Sequence, residues 1–213
     1  SKRGTSAARN TGWQASQGNI VVFMDADMVL EPTALHRTLE RLEADPSVLG
    51  VNGFVDLEPG APGLVSAFAN TSIHYQHLGH GPRVASAYTA LCGLRREALQ
   101  GMGGWDERWF SRYADDVVTR FHLPAGSLVS DPTIRGRHLK AVAPWGLCKH
   151  RFNVGYFFVG SIWAHRQHVA TRPSVALLSA RYPLSTAGVG ASLAGLGLTP
   201  VLGPFAAPLI IAG

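Results

Sequence analysis

Two carboxylates one residue apart, Asp25 and Asp27, follow the apolar run Ile20 to Met24. In an open α/β sheet, groups leaving the carboxyl end of a buried strand face the crevice where ligands gather. Extended residues at i and i+2 reach to the same side, so both acids can share a divalent cation, which suits hard oxygen ligands. A cation held there can bridge and neutralise a diphosphate. The competing reading is an acidic turn, with Asp27 capping the helix after it. A second group, His74, His77 and His80 in HYQHLGH, sits at i, i+3 and i+6. Two of these could share a helix face and bind zinc. With no cysteine or carboxylate close by in sequence, a polar helix end is the simpler reading.

The elements that must hold these groups follow from pattern. Residues 5–16 read as a helix ending at the turn pair Gly18-Asn19, and 20–24 as a strand covered on both faces. Pro32 can open a helix over 33–44, with Leu35, Leu39 and Leu42 at helical spacing, and 48–55 reads as the next strand. Strand, helix, strand at this length predicts an α/β layered domain with a largely parallel sheet. PGAPG at 59–63 breaks the chain, 64–78 reads as a helix, and 85–94 as a strand leading to a short helix and the loop 101–107. A helix at 114–123 and short strands at 127–130 and 133–138 complete this part.

From residue 143 the character changes. Trp145, Phe152, Tyr156, Phe157, Phe158 and Trp163 mix with Lys149, His150, Arg151, His165 and Arg166. That is the composition of a pair of interfacial amphipathic helices over 143–172. No charged residue follows Arg181, and 173–213 reads as one or more apolar membrane segments. The 213 residues start at Ser1 in a basic run and stop in an apolar one, which reads as a fragment. A net charge of +5 suits anionic partners. The basic residues are too dispersed for a nucleic-acid surface, so a lipid surface is favoured. Cys92 and Cys148 form no CxxC pair and fit neither a disulfide framework nor a zinc knuckle.

Three segments carry a specific resemblance. RGTSAARNTGWQASQGNIVVFMDAD resembles the family 2 glycosyltransferases of the GT-A fold, in which an ARN-x-G helix precedes an apolar strand ending in DxD. CGLRREALQGMGGWDERWFSRYADDVVTRFHLPAG is similar to that family's (K/R)RE, GGFDE and ED segments, with Trp105 in place of Phe and Asp115-Asp116 in place of Glu-Asp. DPTIRGRHLKAVA resembles its closing strand and histidine.

The resemblance implies a GT-A-type, Rossmann-like and mostly parallel sheet over 1–142, without its first βαβ unit. It implies inverting transfer of a sugar from a nucleotide-diphosphate sugar to a hydroxyl, with Mg²⁺ or Mn²⁺ as the cation. Asp27, Asp25 and His138 would be metal ligands, and Arg9, Asn10, Asp25 and Asp27 would bind the donor. Asp116, or else Asp115, would be the base. Gly103, Gly104, Trp105, Asp106 and Glu107 would form the acceptor-side loop, its glycines letting backbone come close. The acceptor would be lipid-linked or a membrane-associated glycan, and the catalytic face would lie on the cytoplasmic side of the cell membrane. The family's opening strand is absent from the sequence, so the fragment itself is expected to be inactive or poorly folded, and the missing QxxRW motif of processive synthases favours a single-addition enzyme.

Two other readings compete. A haloacid-dehalogenase-type phosphotransferase also starts from strand and DxD, but Met28-Val29 stands where Gly-Thr would follow. A non-catalytic, membrane-anchored sugar-binding or scaffold protein is opposed by the acidic pair at 115–116.

Overall fold

Val21 and Phe23 bury their side chains on one face of strand β1 (Ile20–Met24), while Met24 stands half exposed at its end. The computed structural model describes residues 4–79, 81–107 and 119–167. Around β1 are helix α1 (Thr5–Ala15), strand β2 (Met28–Leu30), helix α2 (Ala34–Ala44), strand β3 (Gly50–Val55) and helix α3 (Leu64–Gly79). Strands β4 (Arg83–Val84) and β5 (Leu91–Arg95), helices α4 (Arg96–Gly101) and α5 (Thr119–His122), strand β6 (Leu128–His138) and helix α6 (Pro144–Ala164) follow.

The sheet runs β1-β5-β3-β6-β2, with β4 also paired to β6. Among the described residues, only β3 and β6 pair in parallel; the other pairings are antiparallel. The expectation of a mostly parallel sheet is therefore corrected to a mixed one. The physical reason is the insertion of β5. Strands β1, β3 and β6 do point the same way, but β5 runs against them and separates β1 from β3. Strand β1 is thus an edge strand, which is why it is only partly covered. Full burial falls to the central β3, all six residues of which are buried.

Period-two alternation divides the core between two faces. Phe23, Cys92, Leu94 and Leu128 join Leu99 and Trp105 in one cluster. Val51, Leu91, Val129 and Ile134 join Ala34 and Leu42 in the other. Each such fully buried aliphatic side chain contributes about 1.5–3 kcal/mol. Helix α2 meets the sheet through Ala34, Thr38 and Leu42, whereas Leu35 and Leu39 are exposed. The buried stripe is offset from the leucine spacing because Gly93 lets α2 approach closely. A Cβ there would lie 2.4 Å from Thr38 Cγ2.

The two short strands expected at 127–130 and 133–138 are one strand, Leu128–His138, bent by a register shift where Asn52 and Phe54 face it. In the bend, the Asp131 carboxylate accepts bonds from the amide and hydroxyl of Thr133 at 2.8 and 2.6 Å.

The chain divides into two compact units, 1–154 and 155–213. Of the second, residues 155–167 are described. Residues Pro144–Ala164 form one helix where a pair was expected; 168–172 and the apolar tail 173–213 lie outside the described residues. Among the described residues, no helix is long and apolar enough to cross a membrane.

Candidate active site

The Asp25-Ala26-Asp27 segment crosses one rim of the sheet and is tied down at both ends. The Asp25 amide donates to the Ala90 carbonyl just before β5 (3.1 Å), and the Asp27 carbonyl accepts the Leu139 amide just after β6 (2.8 Å). Strand β2 then pairs with β6 in the register Met28↔His138. This register brings Asp27 Oδ1 to 3.3 Å from His138 Nε2, with both side chains partly exposed.

Helix α1 supplies the neighbouring cation. Arg9 Nη2 lies 3.4 Å from Asp25 Oδ1, and its guanidinium stands 5.8 Å from the centre of the Trp105 ring. Trp105 in turn meets Phe23 edge-on at 5.3 Å, so Arg9 is held between a carboxylate and a buried aromatic pair.

The next residue, Asn10, faces the loop. Its Nδ2 donates to the Trp105 carbonyl and to Glu107 Oε1, both at 2.8 Å. Its Oδ1 accepts from the Trp105 amide at 2.8 Å and from Trp13 Nε1 at 3.1 Å. Gly103, Gly104, Trp105, Asp106 and Glu107 line, with His122, an open hollow of about 260 Å³. Gly104 has φ +79°, and a Cβ on it would lie 2.6 Å from Asn10 Oδ1, so glycine is required on both counts.

The predicted residues therefore fall into two described groups: Asp25, Asp27, Arg9 and His138 at the sheet rim, and Asn10 with Gly103–Glu107 beside α1. Asp115 and Asp116 lie outside the described residues. The histidines of α3 serve the fold. His74 Nδ1 contacts the Val55 carbonyl at 2.6 Å, and His77 meets the Tyr88 ring edge-on at 4.0 Å. Among the described residues, no three His, Cys, Asp or Glu side chains form a metal cluster.

Two residues given no role in sequence prove to set the geometry. Arg95 and Arg96 leave the end of β5 toward different helices. Arg95 donates to the Val48 and Leu42 carbonyls, the latter in the last turn of α2. Arg96 donates to the carbonyls of Trp13, Ser16 and Gly18 and to Ser16 Oγ, closing the C-terminal end of α1. Cations are favoured at such ends by the helix dipole and by carbonyls lacking partners. Their signal was the adjacent basic pair itself, at the junction of strand and helix.

Beyond β6 the field is positive. His150 has its pKa lowered from the ordinary value, first by burial and then by Lys140, Arg151 and His138. A larger hollow of about 420 Å³, between α2 and the bend at Asp131, is open and away from the rim; Arg37 there donates to the Thr133 carbonyl.

The chain is also similar to known proteins. Residues 1–103 match the sequence profile described as Glycosyl transferase family 2. These residues, just under half of the chain, are similar to that family. The "Probable glycosyltransferase YdaM" of Bacillus subtilis (strain 168) is 28% identical over 127 residues, covering 57% of this chain and 30% of that protein. The mannosyltransferase PcManGT from Pyrobaculum calidifontis, solved in complex with GDP-Man and Mn²⁺, is similar in structure. Its TM-score is 0.53 at 19% identity, over 99% of this chain and 63% of that one. The chain thus spans under a third of the curated relative and under two thirds of the structural one. The latter likeness shows the fold: an α/β fold with a mixed sheet, similar to that of a GT-A glycosyltransferase.

Proposed function

We propose that the protein carrying this chain transfers a sugar from a nucleotide-diphosphate sugar to a hydroxyl, with inversion and with a divalent cation. The observation that carries the reading is the pairing of Asp27 with His138 beside Arg9 and Asp25, all on one rim of the sheet. One carboxylate and one imidazole leave most of a cation's coordination to diphosphate oxygens and water. That is how Mg²⁺ and Mn²⁺ are usually held at phosphate sites, so the donor set fits. Such a cation, when bound, supplies Lewis-acid stabilisation of charge on the departing nucleoside diphosphate.

The chain's own groups do the rest. Asp27 and His138 hold the cation, and Asp25 faces the ribose or the cation. Arg9 offers a guanidinium to the diphosphate at the point where it now meets Asp25. Asp116, with Asp115 as the second choice, accepts the acceptor's proton as its oxygen bonds the anomeric carbon and the bond from sugar to phosphate breaks. The loop Gly103–Glu107 borders the acceptor. The acceptor is a lipid-linked or membrane-associated glycan, met at the cytoplasmic side of the cell membrane; the exposed Trp145, Phe152 and Tyr156 beside Lys149 and Arg151 support that placement.

The test is transfer from a panel of nucleotide sugars, with GDP-mannose first because the structural relative was solved with it. Activity is expected with Mn²⁺ or Mg²⁺, to fall with chelator and to be lost in Asp27→Ala. Transfer unaffected by that substitution would overturn the site.

A further inference from the structure

We propose that Asn10 is a positioning residue that fixes the acceptor-side loop against the helix serving the donor. It governs use of the acceptor, while its neighbour Arg9 governs the donor. This rests on the function proposed above and deepens it.

A primary amide has two N–H donors and an oxygen with two lone pairs. Asn10 uses all of them: both donors go to the loop, at the Trp105 carbonyl and the Glu107 carboxylate, and one lone pair takes the Trp105 amide. The remaining lone pair takes Trp13 Nε1, which binds the amide back to its own helix. Asn10 is buried, so no water can replace these partners without rearrangement. The loop answers with Gly104, whose missing Cβ makes room for Asn10 Oδ1. The bond to Glu107 is charge-assisted and sets the direction of a carboxylate that borders the hollow.

Adjacent residues of α1 thereby divide the work. Arg9 reaches Asp25 and the face of Trp105, and Asn10 reaches the backbone of Trp105 and the Glu107 side chain. Trp105, only 2% exposed, is the residue both of them touch. No aspartate or leucine can replace the amide: the first lacks both N–H donors and would repel Glu107, and the second lacks every bond.

The experiment compares wild type with Asn10→Asp and Gly104→Ala in steady-state transfer, varying donor and acceptor separately. Nucleoside diphosphate binding is measured by calorimetry, and amide hydrogen exchange over 103–107 is followed in parallel. Loss of a charge-assisted bond predicts acceptor kcat/KM down by about tenfold or more in both variants. Donor KM and nucleotide affinity should stay within about twofold, a change small beside that tenfold step, and loop exchange should be faster. Parallel changes in donor and acceptor terms, or no change in either, would overturn the inference while leaving the proposed function standing. Absence of transfer by wild type with every donor would overturn that function and this inference with it. If Asn10→Asp fails to fold, Glu107→Ala removes the other end of the same bond and is judged by the same criteria.

Discussion

Nε2 of His138 and Oδ1 of Asp27 stand 3.3 Å apart because β2 and β6 pair with Met28 opposite His138. A sheet register has thus joined an acid near the start of the chain to an imidazole at the end of the last strand. The backbone reinforces the pairing, since the Leu139 amide donates to the Asp27 carbonyl. For the chemistry proposed, Asp27→Ala should lower kcat by at least ~10²-fold, the scale of losing one stabiliser of developing charge. His138→Ala should cost less, about 10-fold or more, because it removes a neutral ligand. Initial rates at saturating donor decide the order.

Arg9 gives a donor-side prediction. Its guanidinium sits at once by Asp25 and over Trp105, a planar arrangement that an ammonium cannot reproduce. Arg9→Lys should raise the donor KM by about tenfold and leave the acceptor KM near its wild-type value. Separate donor and acceptor titrations check it.

Arg96 tests what holds α1 in place. Its side chain closes the end of that helix with bonds to Trp13, Ser16 and Gly18. Arg96→Ala should cost about 2 kcal/mol of stability, the scale of hydrogen bonds made by a charged group. Urea unfolding gives the number, and faster hydrogen exchange at the end of α1 should accompany it.

Two glycines should respond in opposite senses. A Cβ on Gly53 would lie 2.6 Å from Leu91 Cδ2 and Cγ and 2.9 Å from the Ile134 carbonyl, so Gly53→Ala should cost about 1–3 kcal/mol. Gly12, inside α1 with nothing within 4 Å, should gain about 0.5–1 kcal/mol as alanine. Thermal melts of the two variants check both signs.

His150 gives a pH dependence. Burial, then Lys140, Arg151 and His138, lower its folded pKa below the ordinary 6.5. Its contribution to stability is therefore whole above the unfolded value of 6.5. It is lost as the pH falls from there through the lower folded value, where the unfolded chain binds a proton that the native state resists. His150→Gln should flatten the stability profile in that acidic window and leave it unchanged at neutral pH. Denaturation midpoints across the window measure this.

Local pattern revealed elements that bury themselves by simple periodicity. The run at 20–24 is β1 over its whole length, and α3 matches the helix read at 64–78 within one residue. Strand β2 was not legible, because three residues straight after DxD look like a turn until β6 is there to pair with them. The strand read over 85–94 begins only at Leu91. Before it, the chain is held as a loop by Asn52, which bonds the Ser86 carbonyl and the Tyr88 amide. The sheet's direction was hidden for a similar reason: β5 reverses and inserts between β1 and β3. Of the site, the rim acids and His138 were legible as types at known spacings. That Asn10 gives three of its four amide bonds to the loop was not, since only the tertiary approach of Gly104 makes those bonds.

The central claim is that Asp27 and His138 hold a divalent cation against a nucleoside diphosphate. Calorimetric titration of Mn²⁺ into the protein with GDP or UDP, for wild type, Asp27→Ala and His138→Ala, tests it most directly. The account predicts nucleotide-dependent Mn²⁺ binding that weakens by at least about tenfold in each variant. Equal Mn²⁺ affinity in all three proteins would contradict it.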